Sequence, residues 1–72
     1  MRAQDIVIGE HYRHKDSPCR FWLTVRNILQ PHEGKNPHNK IIVECLHTTD
    51  KNKDFGFIRY FCPRDLIKDR DQ

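Results

Sequence analysis

Cys19-Arg20-Phe21-Trp22-Leu23-Thr24-Val25-Arg26-Asn27-Ile28-Leu29-Gln30 is the stretch that decides between two folds. Read as a helix, it starts well. Ser17 stands as an N-cap, Pro18 as the first helical residue, and Phe21, Trp22, Val25, Ile28 and Leu29 share one helical face. Read as a strand, it puts Phe21, Leu23, Val25 and Leu29 on one side and Trp22, Thr24 and Arg26 on the other. The helical count is slightly better. The composition points the other way, because Phe-Trp-Leu-Thr-Val is rich in side chains that fit a pleated surface. The flanking segments read as strands, and a strand here lets an all-β body close. The sequence therefore predicts a strand, with a helix over residues 18–29 in an α+β fold as the alternative.

Downstream, residues 31–39 form a polar loop with two prolines and a glycine, whose side chains are expected outside the core. Residues 40–47 are the clearest strand: Ile41, Val43 and Cys45 alternate with Ile42, Glu44 and Leu46. Glu44 should face solvent, which turns Val43 and Cys45 inward. Residues 48–54 read as a charged hairpin loop. The aromatic run Phe55-Gly56-Phe57-Ile58-Arg59-Tyr60-Phe61 then reads as a strand that ends at Pro63.

That last strand has a parity conflict. If Arg59 faces water, Phe57 and Phe61 go with it; if they are core, Arg59 is buried at a cost. A β-bulge near Gly56 or Arg59 is the expected escape, and exposed aromatic surface is the alternative. Upstream, Ile6-Val7-Ile8, Gly9 and the alternation around Tyr12 predict a strand entering a bend, followed by a turn at residues 15–18.

The 72 residues make one domain, with an ordered body over residues 5–68 and a frayed end after Lys68. A chain this short buries only about 60–65% of its unfolded surface, so its core is small. A formal charge of +3 permits nucleic acid or an acidic protein surface as partner without requiring either. No apolar run reaches the ~20 residues of a membrane helix, and no signal peptide is apparent. Three widely spaced cysteines fit a reducing compartment, so a cytoplasmic location is expected.

Enzymatic signatures are absent. The three glycines are isolated, and the one serine sits beside a proline. Cys45 and His47 point the same way on one strand but lie roughly 6–7 Å apart along it. No Cys-x-x-Cys pair supports zinc, although Cys19, Cys45, Cys62 and His47 could meet only if the fold gathered them. Neither cofactor nor metal is expected. Basic residues interleaved with aromatics suggest nucleic acid, which aromatic stacking and phosphate contacts would hold. The candidate contact set is Trp22, Arg26, Arg59 and Tyr60, with Lys35 and Lys40 in flanking loops. A protein surface is the competing partner. The two readings part on geometry: Arg26 and Arg59 on one face with Trp22 and the lysines favours nucleic acid, a mainly apolar exposed patch favours protein.

The order of signals resembles small SH3-like barrels of the Tudor or KOW kind. The resemblance rests on the Gly9-Glu10-His11-Tyr12 turn, three central strands around residues 22–28, 41–47 and 57–61, and a closing helical turn at Pro63-Arg64-Asp65-Leu66. The end of the aromatic strand also looks like short proteins of phage or prophage origin. The resemblance implies a five-stranded SH3-like barrel and a binding function. It does not choose the partner, since such barrels take peptides, RNA, DNA and protein surfaces. A small host-directed inhibitor is among the functions it admits.

Overall fold

The computed structural model describes residues 1–17, 20–50 and 55–69. Five antiparallel strands form one sheet: β1 (His11–His14), β2 (Trp22–Leu29), β3 (Ile42–Thr48), β4 (Phe57–Phe61) and β5 (Leu66–Lys68). Their order across the sheet is β4-β3-β2-β1-β5, and single 3₁₀ turns occupy Ala3–Asp5 and Pro63–Asp65. The protein is mainly β, as the strand reading of residues 19–30 predicts. The alternative helix is not formed. β2 pairs with β1 on one edge and β3 on the other, so its backbone groups are satisfied in a ladder while Leu23 and Val25 become fully buried.

The sheet is strongly curled. β1 and β4 are separated by two strands, which would hold them ~14 Å apart in a flat sheet. Yet the His14 and Phe61 rings lie 5.4 Å apart, centroid to centroid. The concave side holds the core: Ile6, Tyr12, Leu23, Val25, Val43, Cys45, Phe61 and Leu66. Leu23, Val43 and Leu66 have no exposed surface, and each such side chain contributes about 1.5–3 kcal/mol by leaving water. Val43 and Cys45 point inward and Glu44 outward, as their alternation predicts.

Several local expectations need correction. The bulge lies in β2, not β4. Val25 pairs with Cys45 and Asn27 with Glu44, leaving Arg26 as the extra residue. The bulge turns Ile28 onto the core, opposite Val43, and sends Leu29 to the convex face opposite Ile42, away from Leu23 and Val25. In β4 the register runs unbroken from Phe57 to Phe61. Second, β1 begins only at His11; Val7 and Ile8 are exposed and irregular, while Ile6 alone of that run joins the core. The turn between them uses Gly9 at φ 95°, a conformation that costs a side-chain-bearing residue about 1–2 kcal/mol. The Val7 N–H then donates to the Tyr12 hydroxyl at 2.9 Å.

Third, the polar loop after β2 does contribute a buried residue, Asn36, which is 2% exposed. Beyond β5, Asp69 accepts a hydrogen bond from Arg13 Nε at 3.1 Å. The hairpin loop expected at residues 48–54 begins later than its sequence suggests, because Thr48 is buried at the end of β3. Its residues 51–54, like Pro18, Cys19 and the last three residues, lie outside the described residues.

Candidate binding surfaces

β4 is an edge strand: among the described residues it pairs with β3 alone. Its parity conflict resolves toward exposed aromatics. Phe57 is 75% exposed, Ile58 47% and Tyr60 41%, with Phe55 exposed just before them. Pairing fixes the faces. Phe57, Arg59 and Phe61 lie opposite His47, Cys45 and Val43 and share their concave side, while Ile58 and Tyr60 lie opposite Leu46 and Glu44 on the convex side. Only Phe61 is deep enough to be core. Arg59 stays exposed with its guanidinium 5.3 Å from the Phe61 ring centre, so it keeps its water and covers the ring. Along the same side, His47 lies between Phe21, at 4.2 Å, and Phe57, at 6.5 Å. The chain enters β4 through Gly56, where a Cβ would sit 2.2 Å from the His47 carbonyl oxygen, so no side chain fits there.

A second feature is built by the loop between β2 and β3. The Asn36 side-chain nitrogen donates toward the carbonyls of Leu29, Gln30 and Lys40, at 3.3, 3.0 and 2.8 Å. Its oxygen accepts from the His38 N–H at 3.0 Å. One amide thus ties both stems of the loop together. The loop and the end of β4 enclose a cleft of about 330 Å³ whose lining includes Lys35, His38, Lys40, Tyr60 and Asp65. Asp65 is balanced by Lys15 at 3.6 Å. The Tyr60 hydroxyl donates to Glu44 Oε2 at 3.1 Å, and loss of water contact followed by Glu44's hydrogen bond and charge raises the phenol above its ordinary value.

The six residues expected to form one contact set are therefore divided. Lys35, Lys40 and Tyr60 meet at the cleft. Trp22 lies half-buried on the convex side, with the Arg13 guanidinium 4.1 Å from its ring centre. Arg13 in turn is held by Asp69 and by the Phe21 carbonyl, so this cation is already engaged. Arg26 is exposed at the bulge. Arg59 shares neither face with Trp22 nor the cleft with the lysines. His38 and Asn36 belong to the cleft and were not among the expected residues. A polar residue inside a loop of polar residues carries no sequence signal of burial.

Cys45 is fully buried, and burial, then the Glu44 charge, push its thiol up to about 12. Such a thiol is a core group and not a nucleophile. No group of three or more metal-ligating side chains occurs among the described residues. No helix among them is long and apolar enough to cross a membrane. No family model, curated protein or solved structure matches the chain.

Proposed function

We propose that this chain is a non-enzymatic binding module of SH3-like barrel architecture, acting in the cytoplasm, and that its partner is a protein laying an extended segment along β4. The observation that carries this is the exposure of Phe57, Ile58 and Tyr60 on an edge strand. A free edge offers main-chain hydrogen bonds to an incoming strand, and the alternating exposed side chains offer specificity. Natural proteins blunt such edges with charge, proline or short length; β4 carries Arg59 as its one charge. The strand order and the 3₁₀ turn between β4 and β5 support the SH3-like reading.

The test is selection from a random peptide library against the intact chain, with Phe57→Ser as the counter-target. Enrichment of alternating aromatic and β-branched peptides that the variant binds at least about tenfold more weakly, about 1.4 kcal/mol, supports the reading. Peptides that bind both equally would place the site elsewhere.

A second reading has its own observation. Lys35, His38 and Lys40 beside Tyr60 offer cations and a stacking ring at one cleft, the pairing that single-stranded nucleic acid uses. In this reading Trp22, Arg26 and Arg59 fall outside the contact set.

A further inference from the structure

We infer that the strand laid along β4 is β4 of a second copy, the two chains joining edge to edge about a two-fold axis through Ile58. This rests on the reading of β4 as an edge that accepts a strand, and it names the partner. The argument lies in the order of side chains. Around β4 the chain reads Gly56-Phe57-Ile58-Arg59-Tyr60. When identical strands pair antiparallel with their concave faces continuous, one residue lies on the axis and faces its own copy. The choices in β4 are then few.

With the axis at Arg59 the overlap is longest, but two guanidinium groups face each other directly, which is destabilising. With the axis at Ile58, each Phe57 lies opposite Arg59 of the second copy on the concave side. The repulsion becomes two cation–aromatic pairs. Arg59 is suited to this, since it is exposed and already lies over an aromatic ring within its own chain. On the convex side Ile58 meets Ile58, covering two half-exposed apolar side chains. Tyr60 of each copy falls beside Gly56 of the other, where there is no side chain to obstruct it. The result is one sheet running through both chains. Two short strands bury little area, so the association should be weak and reversible.

Sedimentation equilibrium from about 10 µM to about 1 mM tests this, the range in which weak pairing is read. The intact chain should pass from monomer toward dimer as concentration rises. Ile58→Lys and Ile58→Glu should each remain monomeric, because each sets two like charges on the axis. Ile58 is nearly half exposed, and far-UV circular dichroism will establish that both variants keep the sheet. An equal mixture of the two variants should dimerise, since position 58 then pairs lysine with glutamate. A monomeric wild-type chain throughout, undiminished dimerisation of either variant alone, or a mixture that stays monomeric would each overturn the inference. If the chain is monomeric yet selected peptides bind β4, self-pairing fails and the peptide-binding reading stands. If neither occurs, both fall.

Discussion

Asn36 places two amide hydrogens before three carbonyl oxygens and offers its own oxygen to a fourth backbone group. An apolar residue of similar size would leave those carbonyls facing a dry pocket. Asn36→Leu should therefore lower stability by about 1–3 kcal/mol, the cost of unsatisfied buried polar groups, as read from urea denaturation. Asn36→Asp should be worse, because an ionised carboxylate has no hydrogen to give. Cys45 makes a different prediction. Its thiol has an ordinary value of 9.0 and is pushed up to about 12 in the fold. As pH rises past 9 the unfolded chain loses this proton first, so the unfolded state gains. The stabilisation from this group is intact below about pH 9 and lost progressively toward pH 12. Urea midpoints should fall over that range more steeply for the native chain than for Cys45→Ala, whatever the starting stability of the variant. Equal slopes would remove the argument.

At the scale of the element, β4 and β2 teach opposite lessons. Within β4 two phenylalanines on the same face have unlike roles, because Phe61 is 9% exposed and Phe57 75%. Phe61→Ala should cost about 3–5 kcal/mol, while Phe57→Ala should stay within about 0.5 kcal/mol of the native chain. A large loss at Phe57 would mean that its ring is part of the folded core. The aromatic run made the strand legible in the sequence, and its parity conflict pointed correctly to exposed aromatic surface as one outcome. What pattern alone could not settle was where the sheet's irregularity lies. The extra residue at Arg26 sets Leu23 and Val25 in one phase and Ile28 in the other. A strand with a phase change carries apolar residues at spacings close to helical ones, which is why residues 19–30 matched both templates. β3, with no such break, could be read residue by residue.

For the whole molecule, four strands could be read from apolar runs between turn residues. The fifth strand and the closing helical turn came only with the SH3-like resemblance, because Leu66-Ile67-Lys68 is too short a run to carry a signal. The assembly of a surface was not legible. Trp22, Arg26, Arg59 and Tyr60 look contiguous in composition, but strand parity and the bulge distribute them over separate faces. The surviving group of Lys35, Lys40 and Tyr60 makes the nucleic-acid reading testable. Anisotropy of labelled single-stranded oligonucleotides should show weak binding that declines between about 50 and 200 mM salt, as displaced counterions require. Lys35→Glu with Lys40→Glu should abolish it, while Arg26→Ala should leave it unchanged. Binding that depends on Arg26 and not on the lysines would move the site away from the cleft.

The pairing of β1 with β5 joins Tyr12 to Lys68, positions near opposite ends of the described chain. Made from its N-terminus, the chain can form its three central strands while β1 still lacks its outer neighbour. Leu66, with no exposed surface in the finished fold, is then also missing from the core. The sheet therefore cannot be completed until residues 66–68 are in place, and until then β1 stands in place of β5 as the edge opposite β4. A chain cut off before Leu66 should thus offer β1 as well as β4 to an extended segment.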